Sequence, residues 1–409
     1  MKRSQRFSLN KKISIIGGGA CALMLACELD TTQFDVSVYE KNAAPGRKFL
    51  VAGEGGLNLT HSEDPAGFIE RYTPSDFLKQ HFTHFNNHDL VKWINDKGIE
   101  TFVGSSGRIF PKNGMKPVEV LNVLLDAIRQ NRVTVNTRFE WKGFAPAKRL
   151  VFEQGGEERL VSSDLVIFCL GGASWPVTGS NGSWTEYFSQ KKILIKPFEA
   201  SNCSFKIHWP SQIINKIEGK ALKNCAVTCG DKTISGEVVL TREGIEGSGI
   251  YPLSPRIREQ LNASGSADIF IDFKPAITHD VMLQKLEPRS DQSYTKNISE
   301  RLNLNPLHLA LLKQFVPKDE FLNPEKLAQH IKAFKLTVTG CGPLEDAISS
   351  VGGIVLDEIS EQFELKKMPG YFVLGEMLDY DAPTGGYLLQ SCFTMAKGLA
   401  DYLNAEKTL

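Results

Sequence analysis

The chain has 409 residues, which is enough for two or three domains that each bury a hydrophobic core. Its composition, 42% hydrophobic and 23% charged, is that of a globular protein and argues against a disordered chain. Lysine and arginine together number 47, as do aspartate and glutamate, so no net charge draws the chain to polyanions. We therefore expect neither nucleic acid nor a membrane as a partner.

The N-terminal segment resembles a secretion signal, because basic residues precede an apolar run that ends at Leu25-Ala26-Cys27. Three consecutive glycines interrupt this run, and a second strand follows it, so we predict a cytoplasmic protein instead. The eight cysteines show no Cys-x-x-Cys motif and no metal-ligand spacing, so we predict neither a disulfide framework nor a metal site. Cys225 and Cys229, with three residues between them on a strand-like run, leave a redox pair as the alternative.

The first motif predicts a buried strand over residues 12–16, a glycine turn, a helix, and a second strand that ends at Glu40. This is the pattern of a dinucleotide-binding βαβ unit. Gly17 turns the chain sharply, and Gly19 lets the backbone approach a pyrophosphate without a Cβ atom. Glu40 follows Gly19 by about 20 residues, the separation at which an acid accepts hydrogen bonds from a ribose. The alternative is a glycine turn in an α/β domain that binds no nucleotide.

Residues 45–60 combine glycines with the adjacent cations Arg47 and Lys48, which suits a loop against an anionic cofactor. The alternative is a flexible surface loop. Residues 74–98 are predicted to be helical, and we interpret the histidines nearby as surface or capping residues. Arg108 precedes an amphipathic helix over residues 118–128, and either faces a ligand or is solvated.

A change to period two predicts a β-meander from Val133 to Val161, which includes Trp141. It leads into a buried strand that ends in Gly171-Gly172. Residues 197–340 are predicted to form an inserted domain, strand-like to about Pro275 and helical from Ile277 to Phe334. The first domain, residues 1–196, is then completed by residues 341–409. That last part contains a buried strand capped by Gly375-Glu376 and, after Gly385-Gly386, a helix with one wide apolar face.

These motifs together resemble the HI0933-like (YhiN/BaiN) family of FAD-dependent flavoproteins, and more distantly the glutathione-reductase type of FAD fold. The most specific part of the resemblance is the run from Gly375 to Gln390. The resemblance implies an α/β fold in which a two-part Rossmann-like FAD-binding domain is interrupted by a β-barrel-like and helical insertion. Where many members carry Arg-Cys-Asn, this chain has Gly56-Leu57-Asn58, which indicates a divergent branch.

From these observations we predict that the cofactor is FAD and that the reaction is direct hydride transfer. NAD(P)H is the predicted transient donor, and a small organic acceptor is predicted to bind in a cleft between the first domain and the insertion. The competing hypotheses are an NAD-only dehydrogenase and a non-redox or RNA-modifying FAD-binding protein, and the oligomeric state stays open. Weak candidates for proton transfer are Arg108 and Tyr380. The predicted cofactor contacts are Gly17, Gly19, Ala20, Glu40, Lys41, Arg47, Lys48, Asn58, Trp141, Gly171, Gly172, Gly375, Glu376, Asp379, Gly385, Gly386, Tyr387 and Leu388.

Overall fold

The computed structural model describes residues 10–51, 56–112, 114–287 and 293–405. The chain divides into two compact units, of which the first contains residues 1–199 and 349–409 and the second contains residues 200–348. The sequence placed the ends of the insertion at residues 197 and 340, which are three and eight residues before the ends of the second unit.

The strands follow in chain order. They are β1 (Lys11–Ile16), β2 (Phe34–Glu40), β3 (Thr60–His61), β4 (Thr101–Val103), β5 (Arg108–Pro111), β6 (Thr134–Thr137), β7 (Glu140–Ala145), β8 (Arg149–Gln154), β9 (Glu157–Ser162), β10 (Leu165–Phe168), β11 (Ile195–Ser201), β12 (Phe205–Ile207), β13 (Lys220–Cys229), β14 (Lys232–Leu240), β15 (Gly244–Glu246), β16 (Ala267–Asp272), β17 (Phe334–Cys341), β18 (Ser349–Ile354) and β19 (Tyr371–Val373).

The α-helices lie between them. They are α1 (Ala20–Glu28), α2 (Arg47–Val51), α3 (Pro65–Ile69), α4 (Lys79–His84), α5 (Asn87–Asp96), α6 (Pro117–Gln130), α7 (Thr185–Gln190), α8 (Ser211–Ile217), α9 (Ser254–Ser264), α10 (His279–Leu286), α11 (Tyr294–Leu302), α12 (Pro306–Phe315), α13 (Lys318–Phe321), α14 (Pro324–Lys332) and α15 (Tyr387–Ala405).

A five-stranded parallel sheet in the order β19-β10-β1-β2-β6 forms the centre of the first unit. The residues of β1 from Ile13 to Ile16 are all buried, as expected for a parallel strand with elements packed on both faces. Helix α1 packs against β1 and β2 of this sheet, and α15 packs against α1. The carboxyl ends of all five strands lie at one edge, which is where parallel sheets bind ligands.

The meander is smaller than the sequence predicted. Strand β6 pairs in parallel with β2, with Thr134 opposite Ser37, so it belongs to the central sheet. The antiparallel meander consists of β7, β8 and β9. Arg138 adopts a left-handed conformation with φ of 61°, and this residue turns the chain out of the sheet before the meander begins.

The predicted helical segment over residues 74–98 contains two helices, α4 and α5, rather than one. Asn86 separates them, because its side chain accepts hydrogen bonds from the amides of His88 and Asp89. The Asp89 carboxylate in turn accepts from the amide of Asn86. This reciprocal cap starts a new helix and overrides the continuous apolar spacing.

The second unit contains a closed six-stranded barrel in the order β12-β15-β14-β13-β16-β17. On β17 the side chains of Phe334, Leu336 and Val338 are buried, and Lys335 and Thr337 between them are exposed. Helices α10 to α14 connect β16 to β17. The predicted β-barrel-like and helical insertion is therefore confirmed. Within the described residues, no helix is long and apolar enough to cross a membrane.

Candidate functional site

The glycine turn after β1 lies at the carboxyl edge of the parallel sheet. Gly17 has φ of +99°, and a Cβ atom there would lie 2.4 Å from the carbonyl oxygen of Cys169 at the end of β10. Its amide donates to the carbonyl of Tyr39 at 2.8 Å. Gly17 is therefore glycine because the backbones of β10 and β2 approach it closely.

Gly19 has a different environment. It caps α1 in an extended conformation, and a Cβ atom there would have no neighbour within 4 Å. Helix α1 begins at the next residue, Ala20, so the unpaired amides of its first turn face this open space. An open glycine at a helix N-terminus is the geometry that admits a phosphate.

Glu40 ends β2 and is 8% exposed. One of its oxygens accepts from the amide of Gly18 at 2.8 Å, and the other accepts from the amide and side chain of Asn42 at 2.8 and 2.7 Å. Asn42 also accepts from Arg47 at 2.9 Å. The carboxylate thus holds the glycine turn against the loop that follows β2, where Lys41 is exposed. The contact of Glu40 with a ribose stays a prediction.

Lys48 and Glu376 come from distant parts of the chain and form an ion pair at 3.0 Å. The Lys48 ammonium also donates to the hydroxyl of Ser174 at 3.0 Å. The Oε1 atom of Glu376 is buried and has no hydrogen-bond partner among the residues that the structure describes. The same holds for Oδ1 of Asn58. These two oxygens can accept hydrogen bonds from a bound molecule or from water, and an unpaired buried acceptor is costly.

The other predicted glycines of this edge pack against protein atoms. A Cβ atom on Gly172 would lie 2.0 Å from the hydroxyl of Ser350, and one on Gly375 would lie 2.8 Å from the sulfur of Cys21. Gly171 accepts a hydrogen bond from the Trp184 indole at 2.9 Å. Close packing therefore explains why these positions are glycine, and their contact with a cofactor stays a prediction.

Helix α15 begins beside β3 and β5. Gly386 has φ of +99°, and a Cβ atom there would lie 2.6 Å from the Cα atom of Thr60. A Cβ atom on Gly385 would lie 3.3 Å from Nε of Arg108. Within the described ranges, the Arg108 guanidinium is half-buried and makes no hydrogen bond or ion pair. The structure therefore places Arg108, a predicted candidate for proton transfer, at the start of α15. No spacing in the sequence indicated this position.

Tyr387, the first residue of α15, anchors this helix rather than facing open space. Its hydroxyl donates to Glu63 at 2.7 Å, and its ring stacks on His61 with centroids 5.4 Å apart. Burial raises the pKa of Tyr387 well above its ordinary value, with the Glu63 carboxylate adding to the effect. Arg71 bonds to Glu63 in turn and lowers the pKa of that carboxyl. Leu388 follows and is half-buried.

His61 has both ring nitrogens engaged. Its Nδ1 accepts from the amide of Glu63 at 3.1 Å, and its Nε2 donates to the carbonyl of Ser106 at 3.0 Å. This pattern corresponds to a neutral imidazole with its hydrogen on Nε2. Among the residues that the structure describes, no group of His, Cys, Asp or Glu side chains could hold a metal ion.

Two predicted site residues belong to the hydrophobic core instead. Trp141 is 7% exposed, and its ring packs against Phe144, Phe168, Tyr187 and Phe188 at 4.9 to 5.8 Å between centroids; the predicted contact of Trp141 with the cofactor stays a prediction.

Tyr380 is 3% exposed and shares a hydrogen bond of 2.8 Å with Ser391. Burial raises the pKa of Tyr380 well above its ordinary value, which disfavours a role in proton transfer to a substrate. Asp379 pairs with Lys196 at 3.4 Å, and its side chain is 18% exposed.

The structure brings together two thiols that are far apart in sequence. The sulfur of Cys21 donates to the carbonyl of Cys392 at 3.4 Å, and both cysteines are free. Burial raises the pKa of the Cys21 thiol well above its ordinary value. A buried thiol that resists ionisation is a poor nucleophile, so the geometry does not favour a route for electrons through this pair. Cys225 and Cys229 are likewise buried free thiols.

The residues at this edge fit FAD. The open N-terminus of α1 suits a pyrophosphate, and the half-buried cation Lys48 supplies positive charge. The oxygens of Asn58 and Glu376, unpartnered in the described ranges, suit the hydroxyl or ring N–H donors of a bound cofactor. No sequence motif predicted the roles of Ser174, which contacts Lys48, or of Thr60 and Glu63, which contact Gln390 and Tyr387 of α15. Hydroxyl and carboxyl residues in loops carry no periodic signal that distinguishes them.

Comparison with known proteins places these features in a wider group. Residues 11–401 match the family model described as HI0933-like protein Rossmann domain. A 3-dehydro-bile acid delta(4,6)-reductase of Clostridium scindens is 24% identical, over 93% of this chain and 95% of the relative. A ribosomal RNA dihydrouridine synthase of Escherichia coli is 23% identical, over 96% of this chain and 98% of the relative.

Among solved structures, 3-ketosteroid-delta4-(5alpha)-dehydrogenase from Rhodococcus jostii RHA1 superposes over 99% of both chains. It is 12% identical, and its TM-score of 0.47 is too low to support an argument about function.

Proposed function

Because the chain belongs to the family of HI0933-like proteins, we propose that it is an FAD-dependent reductase of carbon–carbon double bonds conjugated with a carbonyl group. Electrons come from NAD(P)H, and the acceptor is a small organic molecule. The names of the two curated relatives describe one type of chemistry, because a delta(4,6)-reductase and a dihydrouridine synthase both add two hydrogens across a double bond. In the proposed reaction one carbon of the double bond receives a hydride and the other receives a proton from water.

The observation that carries this proposal is the position of Arg108 beside Gly385 at the start of α15. A guanidinium and a helix N-terminus at one place both stabilise negative charge. Reduction of a double bond conjugated with a carbonyl places negative charge on the carbonyl oxygen in the transition state. Arg108, which lacks an ion pair in the described part of the chain, would donate hydrogen bonds to that oxygen.

The remaining residues of the site bind and orient the cofactor. FAD, when bound, supplies the hydride. The amides at the start of α1 would hold the pyrophosphate of FAD. Glu376 and Asn58 would accept hydrogen bonds from the ribityl chain and the flavin ring. Lys48 is held by Ser174 and Glu376, so its ammonium is fixed where the cofactor binds. We expect the first turn of α15 to stabilise charge on the reduced ring.

The experiment is anaerobic reoxidation of the flavin. Purified protein is loaded with FAD, reduced with NADH or NADPH, and mixed with 4-androstene-3,17-dione, a small enone, while the absorbance of oxidised flavin is followed. We expect enone-dependent reoxidation. Arg108→Ala should lower its rate by about 100-fold or more, and Arg108→Lys, which keeps the charge but not the forked geometry, by less.

The competing hypotheses give different results. Protein that stays colourless and takes up no FAD would remove the flavoprotein proposal and leave an NAD-only dehydrogenase, which the family match does not favour. Reoxidation by uridine-containing ribosomal RNA but not by the enone would replace the small acceptor with RNA. An Arg108→Ala variant with an unchanged rate would show that the residue has no part in the reaction.

A further inference from the structure

A chain of buried hydrogen bonds runs along one side of α15. The hydroxyl of Thr60 donates to Oε1 of Gln390 at 2.7 Å, and Nε2 of Gln390 donates to the hydroxyl of Thr394 at 3.1 Å. The hydroxyl of Thr394 donates to the carbonyl of Phe85 at 2.9 Å. Thr60, Gln390 and Thr394 have no exposed surface. Each donor and acceptor has a defined direction, so the network allows only one register of α15 against β3.

This network meets the first turn of α15 at Gln390. The amide of Gln390 donates to the carbonyl of Gly386 at 2.9 Å, and this bond closes the first helical turn. The side chain of the same residue is held by Thr60. The backbone of Thr60 also packs against Gly386 so closely that no side chain fits there. Thr60 therefore fixes the beginning of α15 through two separate contacts.

Strand β3 also fixes Arg108. Thr60 and His61 of β3 pair with Ile109 and Arg108 of β5, so the guanidinium and the helix start are attached to the same two-residue strand. A displacement of Thr60 relative to Gln390 would change the distance between Arg108 and the amides of α15. Both groups act through electrostatics, which depends steeply on distance in a buried site.

We propose that Thr60 and Gln390 are positioning residues that hold the start of α15 and Arg108 where they set the reduction potential of bound FAD. This inference rests on the proposed function for the identity of the cofactor. Neither residue touches the cofactor in this proposal; both act through the helix start and Arg108. The hydrogen bond between these two fully buried side chains supports a role in specifying geometry.

The test compares Thr60→Val with Thr394→Val. Both replacements have similar shape, and each removes one hydroxyl from the same network, but Thr394 lies one turn further from the helix start. Both variants should lower the melting temperature to a similar extent. In the FAD complex without acceptor, Thr60→Val should weaken the binding of reduced FAD relative to oxidised FAD by about tenfold. This change corresponds to a midpoint potential that is about 30 mV lower. Thr394→Val should have the same potential as the unsubstituted protein. Thr60→Ser, which keeps the hydroxyl, should also have that potential.

Equal potentials in Thr60→Val and the unsubstituted protein, or equal shifts in both valine variants, would overturn the proposal. If Thr60→Val does not fold, the double variant Thr60→Val, Gln390→Met removes donor and acceptor together and leaves no unpaired group between them. The same lower potential is expected of it, and an unchanged potential would again overturn the proposal. Because no acceptor is present, the result does not depend on which double bond the protein reduces. Absence of FAD binding in the unsubstituted protein would overturn both proposals.

Discussion

At the scale of the residue, Gly17 and Gly19 belong to one turn but have different surroundings. A glycine motif indicates that the backbone needs freedom, but it does not say whether protein or ligand occupies the neighbouring space. Gly17 is enclosed by the backbone of β10, whereas Gly19 faces open space at the start of α1. Aromatic residues have the same ambiguity. Trp141 was predicted to lie beside the cofactor and packs in the core, because burial depends on elements that the local sequence does not contain.

The contrast between the two glycines gives a prediction. Gly19→Ala should fold with a free energy of unfolding within about 0.5 kcal/mol of the unsubstituted protein, since the new methyl group meets no atom within 4 Å. Its affinity for FAD should fall at least about tenfold, because the methyl group occupies the space for the pyrophosphate. Fluorescence titration with FAD and urea unfolding measure the two quantities. Gly17→Ala is the matched control and should be destabilised by about 2 kcal/mol or more. Unchanged FAD affinity in Gly19→Ala would contradict this position of the phosphates.

Elements were predicted well where their pattern is long and uninterrupted. Strand β1, helix α1, strand β2 and helix α15 lie where the sequence placed them, because buried strands and wide apolar helix faces have clear periodicity. The errors lie at ends and junctions. The cap at Asn86 divides one helical run, and β6 joins the central sheet although its sequence continues into the meander. Partner choice of a four-residue strand depends on tertiary contacts, which periodicity does not report.

Helix α12 in the second unit provides a prediction on pH. His308 in its first turn is 4% exposed, and burial, with a contribution from Lys274, lowers the pKa of His308 to about 4. The unfolded chain binds the same proton near its ordinary pKa of 6.5, so between these values the unfolded state carries more protons. Stability is therefore highest above pH 6.5 and decreases as the pH falls toward 4. Between pH 7 and pH 5 the unit should lose about 2 kcal/mol of unfolding free energy from this group.

The measurement is urea unfolding of the second unit at both pH values. His308→Gln is the matched control, because glutamine at this third position of the helix keeps the capping interaction with Asn305 and does not titrate. Between pH 7 and pH 5, the His308→Gln variant should lose about 2 kcal/mol less unfolding free energy than the unsubstituted protein loses. An equal loss in both proteins would assign the pH dependence to other groups.

At the scale of the whole molecule, the sequence predicted a domain in two parts around an insertion, and the structure shows two units. The prediction was feasible because the glycine motifs at both ends of the chain belong to one kind of site. The pairing of β19 with β10, and the contact of α15 with α1, connect the two parts. The contacts that complete the site, such as Lys48 with Glu376, join residues more than 300 positions apart, and a single sequence contains no signal for them.

Because the first unit contains residues from both ends of the chain, the two units are completed at different times during synthesis. The ribosome synthesises the chain from its N-terminus, so residues 200–348 are complete before β19 and α15 exist. The second unit can therefore fold on the ribosome while the first still lacks an edge strand and a helix. We predict that nascent chains stalled after residue 348 has left the exit tunnel contain a protease-resistant second unit but retain no FAD. Retention of FAD by these nascent chains would contradict the prediction, whereas uptake of the cofactor only after release would make flavin binding the final step of biosynthesis.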